Sequence, residues 1–260
     1  MQFAVIGNPI SHSLSPILHN HAFKTLKIPA FYGRFQLSKE ASFYSLRSLH
    51  LKGANITVPF KETAFNSCDE TFGIAQKIKT VNTIIFKDSK ILGYNTDAQG
   101  FFDCLDFTPK DALIIGAGGS AKAVAHILKE NNINTKIINR SKDRLKDFSE
   151  FSTATFSEFD NLRESYDLVI NTTPAGLVDS TLPLESSILE PLLKEAKLAF
   201  DLIYGKNTPF LNLAKSLNTP FMDGKQMLIN QAILAFLIFT ESQNIQVDKE
   251  ILKKSMQNIL

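Results

Sequence analysis

The chain has 260 residues, 44% of them hydrophobic and 21% charged, with a formal net charge of +2, the composition of an ordinary globular protein of one large or two ordinary domains. So small a charge argues against a nucleic-acid or membrane-surface binder, and no apolar run approaches the ~20 residues that span a bilayer, the longest being Ala232 to Phe239. The start, Met1-Gln2-Phe3-Ala4-Val5, lacks a basic n-region, and Cys68 and Cys104 have no metal-ligand spacing around them, so a cytoplasmic protein with reduced thiols and no bound metal is expected. The charge is uneven. Residues 1–100 carry 11 Lys+Arg against 6 Asp+Glu, a net of +5, and residues 101–223 carry 13 against 17, a net of −4. The first segment therefore suits a small anionic substrate better.

Phe3 to Ile6 predicts a first strand that ends at Gly7-Asn8-Pro9. In Ser11-His12-Ser13-Leu14-Ser15-Pro16, Pro16 suits a first helical residue with Ser15 as its N-cap, and the helix is expected to run to about Lys27. The hydroxyls of an extended Ser13-Leu14-Ser15 fall on one side, a two-pronged hydrogen-bonding site. Ser15 suits capping and ligand contact about equally, and His12, His19 and His21 read as structural or surface residues. Phe31 to Phe35 predicts a strand and Lys39 to Leu51 a helix.

In Asn55-Ile56-Thr57-Val58-Pro59-Phe60-Lys61, Asn55 and Thr57 alternate with Ile56 and Val58, so a polar and an apolar face are expected. Pro59 cannot donate to a ladder, which leaves Lys61 just past the carboxyl end of a strand, where open α/β sheets bind ligands. Val81-Asn82-Thr83 opens a hairpin through Asp88-Ser89-Lys90 that closes at Asn95-Thr96-Asp97. Its two Asn-Thr pairs gather polar groups at one rim. Asp97 reads either as part of that rim or as a cap for a helix near Ala98 to Leu105.

Ala112 to Ile115 is a short apolar run that breaks into Gly116-Ala117-Gly118-Gly119-Ser120-Ala121 before a helix. This strand–turn–helix context gives a Gly-x-Gly-x-x-Ala pattern its meaning. Gly116 permits the tight turn, Gly118 lets backbone approach a pyrophosphate, and Ala121 lets the helix pack on the strand. Uncapped N–H groups at the helix start favour a phosphate. The next strand, Thr135 to Ile138, leads to Asn139-Arg140-Ser141-Lys142-Asp143-Arg144 where NAD-binding units carry an acidic residue. Arg140, Lys142 and Arg144 favour a 2′-phosphate instead, hence NADP. Lys142 and Arg144 also suit solvated first-turn positions.

Two further strands, Asp167 to Asn171 and Leu198 to Leu202, end in Thr172-Thr173-Pro174-Ala175-Gly176 and Ile203-Tyr204-Gly205, ends expected to line the nicotinamide side of a crevice. A helix over Phe210 to Leu217 and a short strand at Phe221-Met222 follow. Asp223 and Gln226 have capping-box spacing for a helix of about Lys225 to Glu241, whose apolar stripe holds one polar residue, Gln231. A buried Gln needs hydrogen-bond partners, from the backbone or from a hydroxylated ligand. A last helix spans about Lys249 to Asn258.

Taken in order, Gly7-Asn8-Pro9-Ile10 with Ser13 to Pro16, Asn55 to Lys61, Val81-Asn82-Thr83, Asn95-Thr96-Asp97, Gly116 to Ala121, Asn139-Arg140-Ser141, Asn171 to Gly176, Asp201-Leu202-Ile203-Tyr204, and Gly224 through Met227-Leu228 to Gln231 closely resemble the shikimate dehydrogenase family. The resemblance runs from residue 3 to about residue 236. It departs at Lys79-Thr80, where the family more often has Gly-Ala, and the last twenty or so residues match only in being helical.

The resemblance implies NADPH-dependent reduction of 3-dehydroshikimate to shikimate in aromatic amino-acid biosynthesis. It implies two α/β domains with a cleft between them: a substrate domain with an open mixed sheet (1–100, completed by 225–260) and a Rossmann-type NADP domain (101–224). By the family's pattern Lys61 and Asp97 are the catalytic pair, and Ser13, Ser15, Thr57, Asn82, Tyr204 and Gln231 surround the substrate. Gly116, Ala117, Gly118, Gly119, Ser120 and Ala121, Asn139, Arg140, Ser141, Lys142 and Arg144, with Thr172, Leu202 and Gly224, hold the cofactor. The partners implied are small molecules, with no nucleic acid or membrane, for a monomer or homodimer. Competing readings are an NAD-dependent quinate/shikimate dehydrogenase, a silent NADP-binding regulator, and a methylene-tetrahydrofolate dehydrogenase of related architecture.

Overall fold

The computed structural model describes residues 1–38, 40, 43–159 and 165–260. The chain divides into two compact units, Met1–Gly100 with Ile229–Leu260, and Phe101–Leu228.

The first unit holds β1 (Gln2–Gly7), α1 (Ser15–Thr25), β2 (Phe31–Gln36), β3 (Gly53–Ile56), α2 (Lys61–Ser67), β4 (Glu70–Thr71), α3 (Ile74–Ile78), β5 (Thr83–Lys87), β6 (Lys90–Tyr94) and the start of α4 (Asp97–Phe102). Its sheet has the order β2-β1-β3-β5-β6-β4 and is mixed: β1 is parallel to β2 and β3, while β5 is antiparallel to β3 and β6. The left-handed turn at Asp88 (φ 48°) and Ser89 (φ 62°) joins β5 to β6, the mirror-image geometry that matches strand twist in tight hairpins. Ile6, Ala54, Ile56, Phe60, Ile84 and Ile91 belong to one core cluster. Phe3, Phe23, Phe236 and Phe239 form an aromatic cluster elsewhere in the same unit.

The second unit holds β7 (Asp111–Ile115), α5 (Gly119–Glu130), β8 (Asn134–Asn139), α6 (Lys142–Leu145), β9 (Ser152–Thr155), β10 (Leu168–Asn171), α7 (Ser186–Glu195), β11 (Leu198–Asp201), α8 (Pro209–Ser216) and β12 (Phe221–Met222). Its strands are all parallel, in the order β12-β11-β10-β7-β8-β9. That is the Rossmann order, with its switch point between β7 and β10. The central strands β7, β10 and β11 are buried almost end to end, as parallel strands covered on both faces must be. The chain closes with α9 (Lys225–Ser242), counted in the first unit from Ile229, and α10 (Lys249–Gln257).

Several local expectations change. The helix expected over Lys39 to Leu51 is a 3-10 helix at Phe43–Leu49, and Lys39, Ala41 and Ser42 lie outside the described residues. Phe43 and Leu46 are both buried. A strict three-residue spacing suits a helix of three residues per turn. Ser15 does not cap α1: it is the first helical residue, Leu14 stands at the N-cap, and no side chain caps the helix. Asp97 does not cap α4 either, because Asn95 Oδ1 accepts from the N–H groups of Asp97 (3.1 Å) and Ala98 (3.3 Å). Asp223 caps α9 by accepting from the Lys225 N–H at 3.1 Å.

Asn55 alternates with Ala54 and Ile56 of the apolar core as expected, but its polar side faces the interior, where the amide bonds Tyr32 and Thr83. β3 is interior to the sheet, so Asn55 is buried, whereas Val58, expected on the apolar face, lies beyond the strand and is 66% exposed. The sequence pattern gave no sign of α2, β4, α3 or β9, which are short, or of α7, where Pro191 sits inside the helix and reads as a breaker. No helix among the described residues is long and apolar enough to cross a membrane.

Candidate active site

In the first unit three backbone features bring distant side chains together. The chain turns after β3, and Lys61 opens α2. The Val81 N–H donates to the Lys61 carbonyl at 3.0 Å, which ties the approach to β5 against the start of α2. The β5–β6 hairpin returns Asp97 beside Asn82.

The result is a partly buried ion pair: Lys61 Nζ donates to Asp97 Oδ2 at 2.5 Å, with side chains 15% and 11% exposed. Asn82 Nδ2 donates to Asp97 Oδ1 at 2.8 Å and to Thr96 Oγ1 at 2.9 Å. Asn82 Oδ1 accepts from the Thr96 N–H at 2.8 Å and from Thr83 Oγ1 at 3.0 Å. Because a backbone N–H can only donate, the Asn82 amide is oriented with its NH2 toward the carboxylate. The rim of two Asn-Thr pairs is therefore real, with Asp97 inside it.

Ser13 and Ser15 are buried, with Ser13 Oγ donating to Ser15 Oγ at 3.3 Å. The Arg34 guanidinium holds this loop by donating to the Ser13 carbonyl through Nε (3.1 Å) and Nη2 (2.6 Å). Thr57 is half-buried, and its N–H donates to the Ile6 carbonyl at 2.9 Å. Gln231 is buried on α9 where the helix crosses Gly100: a Cβ at Gly100 would stand 2.8 Å from the Gln231 backbone nitrogen.

The second unit builds its site from backbone. Gly116 has φ +110°, and a Cβ there would meet Thr172 Oγ1 at 2.6 Å. Thr172 Oγ1 donates to the Ile115 carbonyl at 2.9 Å, which closes the switch point between β7 and β10. Gly118 stands at the N-cap of α5 with no side-chain cap, and a Cβ there would meet nothing within 4 Å. Ala121 is fully buried.

Asn139 Nδ2 donates to the Ser141 carbonyl at 2.9 Å. Arg140 and Arg144 are exposed and have no hydrogen bond or ion pair among the described residues. Lys142 sits 3.8 Å from Glu158. Gly224 meets the end of β11 so closely that a Cβ would lie 2.2 Å from the Leu202 carbonyl oxygen. Tyr204 follows β11, half-buried, and burial raises its phenol above the ordinary value.

Two family descriptions match the chain: "shikimate dehydrogenase substrate binding domain" over residues 5–84 and "shikimate / quinate 5-dehydrogenase" over residues 97–202. A shikimate dehydrogenase (NADP(+)) of Helicobacter hepaticus is 53% identical over 246 residues, covering 93% of this chain and 91% of that protein. The chain belongs to the shikimate dehydrogenase family. Among solved structures, the shikimate dehydrogenase of Aquifex aeolicus matches with a TM-score of 0.86 and 30% identity, covering 99% of this chain and 98% of that one. The Thermus thermophilus enzyme, crystallised with NADP(H) and shikimate, matches with a TM-score of 0.84 and 29% identity over the whole of both chains.

For a shikimate dehydrogenase, the second unit's own geometry fits a dinucleotide. The hollow in front of Gly118 is open, the first N–H groups of α5 have no side-chain cap, and two guanidinium groups stand uncommitted past β8. Helix starts of this kind bind phosphate. Three polar residues of the first unit carry weight without having been assigned a role from the sequence. Asn95 caps α4 and so frees the Asp97 carboxylate. Arg34 fixes the serine loop. Thr83 holds the Asn82 carbonyl oxygen. Asn95 was legible as a helix-capping residue type two positions before the helix, and Thr83 as the neighbour of Asn82 in an Asn-Thr pair, while Arg34 acts across 21 residues and leaves no local pattern.

Proposed function

We propose that this chain catalyses the reversible NADPH-dependent reduction of 3-dehydroshikimate to shikimate, a step of aromatic amino-acid biosynthesis. The first unit is the substrate domain and the second holds NADP. The observation that carries the reading is the Lys61–Asp97 pair at 2.5 Å, fixed by Asn82.

NADPH supplies the hydride for the ring carbonyl carbon. Negative charge then develops on the carbonyl oxygen, where the Lys61 ammonium stabilises it and donates the proton. The Asp97 carboxylate holds the Lys61 ammonium in place. In the oxidative direction the same pair accepts the proton. Ser13, Ser15, Thr57, Asn82, Tyr204 and Gln231 surround the substrate. The glycine turn from Gly116 to Ala121 cradles the pyrophosphate, Asn139 to Arg144 hold the adenosine 2′-phosphate end, and Thr172, Leu202 and Gly224 border the nicotinamide.

The protein works in the cytoplasm, as a monomer or homodimer, on small molecules alone. Its free cysteines, Cys68 and Cys104, suit that compartment. The test is spectrophotometric: shikimate with NADP gives rapid NADPH formation, and quinate or NAD gives far less. Tight NADPH binding without turnover of shikimate refutes the activity. Equal rates with quinate or NAD would refute the stated specificity.

A further inference from the structure

Beyond the residues assigned above, the first unit contains a buried hydrogen-bond relay that starts at Tyr32 and ends at Asp97. Tyr32 Oη donates to Asn55 Oδ1 at 2.6 Å, and Asn55 Nδ2 donates to Thr83 Oγ1 at 3.0 Å. Thr83 Oγ1 donates to Asn82 Oδ1 at 3.0 Å, and Asn82 Nδ2 to Asp97 Oδ1 at 2.8 Å. Tyr32 and Thr83 are 0% exposed, Asn82 3% and Asn55 6%, so no solvent competes for these bonds.

Each member accepts from the one before and donates to the one after, so the relay has a single polarity. Tyr32 sets it. Burial pushes its phenol well above the ordinary value, so it stays neutral and carries one proton to give. Given to Asn55 Oδ1, that proton fixes the Asn55 amide with its NH2 toward Thr83. Thr83 must then accept from Asn55, and its own proton is left for Asn82. Without the phenol the Asn55 amide keeps only the longer bond from Nδ2 to the Asn82 backbone carbonyl, 3.4 Å, to hold its orientation, and it turns over more readily. When it does, the Thr83 proton has two rival acceptors, and Asn82 Oδ1 loses one of its donors, keeping those of Thr96.

The surroundings of Tyr32 are unusually committed to it. β2 is an edge strand, and the Asn20 side chain takes both free backbone groups of Tyr32: Nδ2 donates to its carbonyl at 2.8 Å and Oδ1 accepts from its N–H at 2.9 Å. His19 stacks on the ring with centroids 4.3 Å apart and planes 3° from parallel. Both His19 ring nitrogens are buried without a hydrogen-bond partner among the described residues, an arrangement that costs stability.

We infer that Tyr32, acting through Asn55 and Thr83, is a positioning residue that holds Asn82 and Asp97 in register for Lys61. The inference rests on the proposed roles of Lys61 and Asp97. It is tested by Tyr32→Phe, Thr83→Val, Thr83→Ser and the double variant Tyr32→Phe/Thr83→Val. The readouts are kcat, KM for shikimate and for NADP, Tm, and shikimate binding by calorimetry.

Tyr32→Phe and Thr83→Val are each expected to lower kcat/KM for shikimate about tenfold, the order of one hydrogen bond at a reacting centre, with KM for NADP unchanged. Thr83→Ser keeps the hydroxyl and restores most of the loss. Because both residues act along one relay, the double variant falls no further than the worse single one. Losses that multiply in the double variant, a serine variant as poor as the valine one, or wild-type kinetics in Tyr32→Phe would each overturn the inference. If Lys61→Ala is inactive while Tyr32→Phe is normal, only this inference fails. A Lys61→Ala variant with normal turnover removes the reading beneath it.

Discussion

The two units build their sites from different materials. In the first, chemistry rests on side chains, a lysine, a carboxylate and an amide fastened by hydrogen bonds of 2.5–2.8 Å. In the second it rests on backbone, where Gly116 turns with φ +110°, Gly118 leaves a hollow and Gly224 lets the chain touch the end of β11. The difference follows from the partner each must recognise. A reacting carbonyl oxygen needs a proton at one point, which only a side chain supplies. A pyrophosphate is an extended anion, which successive N–H groups at a helix start match. The first unit therefore breaks when an atom is removed, and the second when one is added.

The largest effect should come from removal. Lys61→Ala is expected to lower kcat by about 10²–10⁴-fold, the range of general acid–base help, with little change in NADPH affinity measured by fluorescence titration. Wild-type turnover would end the contrast between the units. The counterpart is an addition. Gly118→Val fills the hollow at the start of α5 and should raise KM for NADP by about a hundredfold, as an ångström of misplacement does. Nothing crowds a Cβ there, so Tm should hardly move. A normal KM would mean that the pyrophosphate lies elsewhere.

Arg140→Asp sharpens the comparison, because it alters a side chain of the second unit's basic corner. It should move the NADPH-to-NADH preference by about tenfold or more toward NADH, the weight of one or two charge-assisted hydrogen bonds. An unchanged ratio would place 2′-phosphate recognition on other residues. Ser13→Ala and Gln231→Ala should each raise KM for shikimate several-fold, roughly one net hydrogen bond, with kcat nearly constant. A fall in kcat at constant KM would move either residue from binding to chemistry.

The last expected effect concerns stability rather than turnover and belongs to the first unit alone. Burial lowers the His19 imidazole from its ordinary 6.5 to about 3. Between those values the unfolded chain takes up a proton that the folded chain refuses. Stability therefore falls as pH drops from about 6.5 toward 3, by up to about 1.4 kcal/mol per pH unit. His19→Phe keeps a ring against Tyr32 and removes the titration, so its acid unfolding midpoint, followed by circular dichroism, should lie at lower pH. An unshifted midpoint would show that other groups govern acid unfolding.

The second unit was legible in the sequence because its signals are local. An apolar run, two glycines with a helix behind them, and a basic corner 23 residues later lie within one strand–helix–strand unit. Its parallel order follows from alternating strands and helices. The first unit was legible in its residues but not in their joins. Lys61 stood after a strand end and Asp97 after a hairpin, and both positions were readable from Pro59 and from the Asn-Thr pairs. That Asp97 leaves capping to Asn95, and that Asn55 is a buried link rather than a solvent-facing polar residue, depended on which strands cover β3 and on how the hairpin closes.

By itself, then, the sequence determined the strand–turn–helix at Gly116, the basic corner at Arg140 and the residue types of the chemistry, because torsional preference and charge are properties of neighbouring residues. Only the tertiary structure decided the partner of each polar group in the first unit. Tyr32, Asn55, Thr83 and Asp97 are separated by 14 to 28 residues along the chain, and a hydrogen bond between such groups exists only once sheet order has brought their strands side by side.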